Sequence, residues 1–269
     1  IDAEERDWIE TYQAKTKAQF EASFRLAGSR FAAPGVLLER FDEAVTTMLE
    51  RGRYYISGVD ETHNELCVAD RLLANTDPVF SAVDYEPKIT GCAKTIDFRA
   101  QMAEEFTVYV DVKTIKPKAV DRWNQYERAL KEDWFPENVR VTLAKDWLGG
   151  EIWHGMFTAR ARMLEHTLAL ESKMREGELQ NENACFVLML CGDGFHWHKD
   201  WLEDFVSFYQ SGRHRADDAF SIAELRDMEA KGITLDRAIT RFGCMFRHQF
   251  ETGPHRLDWD VQPPGDPFY

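Results

Sequence analysis

Between Thr95 and Thr114 the chain reads TIDFRAQMAEEFTVYVDVKT, two runs of alternating apolar and polar residues either side of a polar turn. A period of two sends successive side chains to opposite faces of a strand. In the second run Phe106, Val108, Val110 and Val112 take one face, and Thr107, Tyr109, Asp111 and Lys113 the other. In the first, Thr95 to Ala100, Ile96 and Phe98 share a face opposite Thr95, Asp97 and Arg99. With the turn centred near Glu104, antiparallel register pairs Asp97 with Asp111 and Thr95 with Lys113. Such partners have Cβ atoms about 4.5 to 5.5 Å apart, and like charges directly opposite one another destabilise a sheet. A divalent cation sharing their oxygens, with the Lys113 ammonium alongside, would relieve the repulsion. The hairpin therefore predicts a metal site.

Asp97 in TIDF, followed by Asp111, Val112 and Lys113 in VDVK, resembles the PD-(D/E)XK motif of the restriction endonuclease-like nucleases, with Ile96 where that motif often has proline. That family usually adds an acidic residue on a helix before the hairpin. HNELCVADRLLAN, His63 to Asn75, offers Glu65, in line with Ala69 and Leu72 at helical spacing on an inward face. The resemblance runs from about Thr62 to Leu130 and reaches the strand near Leu188.

It implies an α/β fold, a restriction endonuclease-like mixed β-sheet core of four or five strands flanked by helices, with an N-terminal helical elaboration and helical insertions. It also implies a metal-dependent nuclease that hydrolyses phosphodiester bonds, DNA favoured over RNA. The catalytic set would be Glu65, Asp97, Asp111 and Lys113. Asp97 and Asp111 would bind Mg²⁺, or Mn²⁺ as a substitute, with Glu65 completing the site and Lys113 orienting the attacking water or offsetting charge on the phosphate. The alternative is a catalytically inactive nucleic-acid-binding or assembly protein of the same fold; a phosphohydrolase acting on nucleotides comes third.

The net charge of −14 argues against a general nucleic-acid coat protein, because nonspecific binding to phosphates rests on Lys and Arg. Local charge runs the other way. Lys113, Lys116, Lys118, Arg122, Arg128 and Lys131 outweigh Asp121 and Glu127, which makes a basic island beside the motif. Lys94, Lys116, Lys118, Arg122 and Gln125 are the candidate substrate contacts. Gln125 and Tyr126 resemble a glutamine and a tyrosine that some members of the family carry after the motif lysine.

Five scattered cysteines in mostly apolar settings fit reduced core thiols and a cytoplasmic protein. No apolar run reaches the roughly 18 residues of a spanning helix, so no membrane partner is expected. Cys191, His196 and His198 lack a second ligand pair at short separation, and His214 is unsupported, so a zinc site is disfavoured. No GxSxG, HExxH or P-loop pattern occurs.

Three segments follow. Residues 1–60 form the helical elaboration, with helices at 3 to 27, closed by Gly28, and from Pro34 to Gly52. Residues 61–250 form the nuclease-like domain: a helix from Glu61 to Asn75, a strand near Val79 to Tyr85, the hairpin, and a helical insertion at about 118–180. The insertion holds a helix from Pro117 to about Trp134, a strand at Val139 to Ala144 and a helix from Ile152 to about Arg175. CFVLMLC, Cys185 to Cys191, has the length and apolarity of a strand buried on both faces. Helices at Lys199 to Gln210 and Ile222 to about Lys231 lead to a strand or helix at Arg241 to Phe250. Residues 251–269 are an extended tail.

Overall fold

The computed structural model describes residues 1–52, 56–77, 79–102, 106–115, 154–179, 183–192, 199–211, 234–247 and 257–260. The basic island beyond Ile115 lies outside them, and with it Lys116, Lys118, Arg122 and Gln125. So do the segments expected at 117–134, 139–144 and 222–231, and His196, His198 and His214.

Helix α1 (Ala3–Ala27) starts where the Asp2 carboxylate accepts the Glu5 N–H and ends at Gly28, whose φ of 59° would strain a side-chain-bearing residue. Helix α2 (Pro34–Arg51) begins on a proline in its first turn and closes at Gly52, φ 103°. Its buried face is Leu37, Leu38, Phe41, Val45 and Met48, with Leu49, at the same apolar spacing, half-buried. Helix α3 (Ile56–Ala74) begins before the expected Glu61. Ser57 and Gly58 are poor helix formers; a Cβ on Gly58 would meet the Ala44 Cβ of α2 at 3.7 Å, an ordinary contact.

One mixed seven-stranded sheet follows in chain order: β1 (Phe31–Ala32), β2 (Ala82–Tyr85), β3 (Phe98–Gln101), β4 (Thr107–Thr114), β5 (Ala184–Gly192), β6 (Arg241–Arg247) and β7 (Leu257–Asp260). Strands β2, β3 and β4 run antiparallel in sequence, β4, β5 and β6 are parallel, and β7 closes the edge antiparallel to β6. The sheet is larger than the four or five strands expected, because Phe31–Ala32 of the N-terminal segment pairs with β2 and part of the tail pairs with β6. Of the run at 241 to 250, Arg241–Arg247 is strand, and 248–250 lie outside the described residues.

Alternation sorts the sheet into two cores. Val108, Val110 and Val112 of β4, with Met189 and Cys191 of β5, pack beneath α1, α2 and α3. Tyr109 of β4, with Phe186, Leu188 and Leu190 of β5, packs beneath α4 (His154–Glu176) and α5 (Lys199–Ser211). Among the described side chains of α5, Phe205, Val206 and Tyr209 are buried and Phe208, expected inward, is half-buried. All five cysteines are free thiols. Among the described residues no helix is long and apolar enough to cross a membrane.

Candidate active site

Phe98 pairs with Val110 and Arg99 with Tyr109, the register that sets Asp97 opposite Asp111. The first strand nevertheless starts at Phe98, not Thr95. Ile96 and Phe98, expected on one face, pack into different cores. The cause is the Asp97 side chain. Continued pairing would put Ile96 opposite Val112, but the Val112 N–H donates instead to Asp97 Oδ2 at 2.6 Å. The Asp97 carbonyl turns the other way to accept the Glu86 N–H at 2.8 Å. A carboxylate substituting for a ladder carbonyl ends the strand and fixes its own position.

Lys113 completes the group. Its Nζ lies 3.2 Å from Asp97 Oδ2 and 3.2 Å from Asp111 Oδ2, and donates to the Val112 carbonyl at 3.0 Å. The buried Oδ2 of Asp111 has Lys113 as its ion-pair partner and, among the described residues, makes no hydrogen bond. The other oxygen, Oδ1, accepts from Lys173 Nζ of α4 at 2.6 Å. The side chain of Asp111 is 0% exposed and that of Lys173 8%. Two carboxylates are thus balanced by two ammonium groups. The charge opposition that predicts a cation from sequence is met in this structure by Lys113 and Lys173.

Glu65 reaches the same end of the sheet from the opposite layer, on α3. Its Oε2 accepts from the Tyr85 hydroxyl at 2.6 Å and lies 3.9 Å from Arg40 Nη1. Arg40 in turn bonds the Tyr85 hydroxyl and, at 2.6 Å, Glu86 Oε1. The neighbouring Asn64 Nδ2 donates to Thr114 Oγ1 at 2.8 Å, which ties this turn of α3 to the end of β4. Among the described residues no group of three or more His, Cys, Asp or Glu side chains stands close enough to hold a metal ion. Asp97 and Asp111 form the pair, and Glu65 acts on it electrostatically from across the sheet. Lys94 is exposed on the loop just before Asp97.

The electrostatics follow from burial. Desolvation, and then the charge of Asp111, push the Asp97 carboxyl up to about 6 against the pull of Lys113, Lys173 and the Val112 N–H. Desolvation and then Asp97 push Glu65 up to about 7, against the Tyr85 hydrogen bond, Arg40 and Lys113. Burial works against the Lys113 charge, but Asp97 and Asp111 outweigh it and hold the ammonium above the ordinary lysine range. Burial and the charge of Glu65 raise the Tyr85 phenol, which therefore stays a donor to Glu65.

No protein family, curated protein or solved structure matches this chain. What the site can do rests on its chemistry. Sequence reasoning reaches Glu65, Asp97, Asp111 and Lys113 but misses Lys173, Tyr85 and Arg40. Met163, Thr167, Leu170 and Met174 mark the buried stripe of α4, and Lys173 is buried beside it. Nothing in the local sequence SKMRE distinguishes this lysine from a solvated one.

Proposed function

We propose that the chain is a metal-dependent nuclease of restriction endonuclease-like fold that hydrolyses phosphodiester bonds, DNA favoured over RNA. The observation that carries this reading is the fully buried Asp111 Oδ2 without a hydrogen bond, facing Lys113 and opposite Asp97. A buried carboxylate oxygen that has an ion-pair partner but no hydrogen bond keeps acceptor capacity unused, and a cation ligand would take it up. Mg²⁺ is commonly held by one or two carboxylates, waters and substrate phosphates, so an aspartate pair without a third close ligand is a sufficient donor set. Among the described residues, both hydrogen bonds to the Asp97 carboxylate fall on Oδ2. Asp97 and Asp111 would hold Mg²⁺ or Mn²⁺, and Glu65, its proton loosely held near neutrality, would add the third negative charge.

When bound, Mg²⁺ would polarise the scissile phosphate and lower the pKa of the attacking water. Lys113 keeps its proton, so it cannot take one from that water. It donates, to the water or to a phosphate oxygen as charge builds there. Lys94 and the basic island from Lys113 to Lys131 would meet the flanking phosphates.

The test is cleavage of duplex and single-stranded DNA and of RNA with Mg²⁺ or Mn²⁺. Wild type should cut, Asp97→Asn and Asp111→Asn should not, and Lys113→Met should lose about 10² to 10⁴ in rate while Mn²⁺ affinity measured by calorimetry holds or tightens. Wild type that cuts none of these substrates with either metal overturns the proposal. One observation favours a second reading: the four charges of Asp97, Asp111, Lys113 and Lys173 already balance, as in a structural ion-pair cluster. An inactive nucleic-acid-binding protein would then bind DNA with no dependence on metal and leave it intact.

A further inference from the structure

We infer that Lys173 is a positioning residue that acts as a built-in competitor of the metal ion for Asp111, so that the chain's own α4 sets how tightly the site takes a divalent cation. The inference rests on the metal-site reading of Asp97 and Asp111. Lys173 Nζ and Asp111 Oδ1 are 2.6 Å apart, with side chains 8% and 0% exposed, so little solvent screens the pair. Lys173 arrives from a helix remote in sequence. Lys113, by contrast, belongs to the motif strand and already stands within 3.2 Å of both aspartates.

Two consequences follow from this geometry. By holding Oδ1, Lys173 turns Oδ2 toward Lys113, the orientation in which it can ligate; outer partners fix first ligands in this way. At the same time its positive charge raises the cost of adding a divalent cation beside Asp111. Metal-free protein is stabilised and metal affinity is lowered by the same contact. Energetic coupling between two bound charges of this kind is reciprocal and amounts to roughly 5- to 150-fold in affinity. Orientation and charge act in opposite directions when Lys173 is removed. Charge dominates here, because the Asp111 side chain is fully buried and Lys113 still faces its Oδ2, so it keeps little freedom to turn away.

The experiment is calorimetric titration of Mn²⁺ into wild type, Lys173→Met and Lys173→Arg, with thermal melting of each in EDTA and in saturating Mn²⁺. Lys173→Met should bind Mn²⁺ at least about fivefold more tightly. It should melt lower than wild type in EDTA, with the gap narrowing in Mn²⁺. Lys173→Arg, which keeps the charge, should bind Mn²⁺ as wild type does. If Lys173→Met does not fold in EDTA, recovery of a folded protein on adding Mn²⁺ is the expected result, and failure to recover it overturns the inference. Unchanged or weaker binding by Lys173→Met, or equal tightening in Lys173→Arg, also overturns it while leaving the metal site standing if wild type binds Mn²⁺. No Mn²⁺ binding by any of the three proteins overturns both.

Discussion

Glu65→Gln isolates the cost of holding a carboxylate beside Asp97. The glutamine keeps a carbonyl to accept the Tyr85 hydroxyl, which donates at 2.6 Å, and deletes only the charge. Glu65 is displaced upward in the folded chain, to about 7 from 4.5. The folded state therefore binds more protons than the unfolded one between those values, and stability falls as pH rises through that window. Each tenfold change in proton affinity is worth about 1.4 kcal/mol, so the full effect above about pH 8 is about 3 kcal/mol. Asp97, at about 6, acts in the same direction over a lower window. Lys113 has the opposite origin: a raised lysine contributes stability that is fully present below its unfolded value and lost only at strongly alkaline pH, so it adds no slope here. Urea unfolding in EDTA from about pH 5 to about pH 8.5 should show wild type losing stability, and Glu65→Gln losing about 3 kcal/mol less. Parallel curves for the two proteins, or wild-type stability that climbs over this range, would refute the placement of Glu65 in a desolvated site facing Asp97.

Three other outcomes follow from contacts in the structure, and a fourth from the basic residues of the sequence. Asp111→Ala should cost about 3 to 5 kcal/mol in EDTA, because it strands the buried Lys173 ammonium; chemical denaturation measures it. Glu171→Ala should cost at least about 2 kcal/mol in the same assay, since Glu171 accepts the Tyr209 hydroxyl and the N–H groups of Asp236 and Arg237. Gly91→Ala should lower the melting temperature, because φ is 82° and the added Cβ would lie 2.9 Å from the Glu176 carbonyl oxygen; a melt equal to wild type would count against that loop geometry. Replacing Lys116, Lys118 and Arg122 with glutamine should flatten the log-log salt dependence of duplex DNA binding by roughly two to three units, read by titration at several salt concentrations.

The parts legible in the sequence carry their own local signals. Gly28, Pro34 and Gly52 punctuate α1 and α2, and an apolar run too short for a helix gives the doubly buried β5. The Asp97–Asp111 register follows from where the turn falls between two alternating strands. What escaped depends on partners far along the chain. Residues 57 and 58 argue locally against a helix, and α3 nevertheless runs through them. The start of β3 is set by the Asp97 side chain capturing Val112 N–H, which a period-two pattern does not encode. Lys173 and the Arg40–Tyr85–Glu65 chain are long-range pairings of polar residues whose own segments read as ordinary helix face or strand.

The strand order of the sheet, identical to the order along the chain, bears on how the molecule is made. Synthesis delivers the N-terminal half first. Helices α1 to α3 and strands β1 to β4 hold most of one core, so they can dock on each other as they emerge, each strand meeting a neighbour already in place. At that stage Asp97, Asp111 and Lys113 are assembled, but β4 presents an unpaired edge and Asp111 has no α4 beside it. Arrival of α4 and β5 closes the edge and delivers Lys173 together. The ion pair at 2.6 Å is thus made only when α4 joins β4, and it makes the site a reporter of that joining.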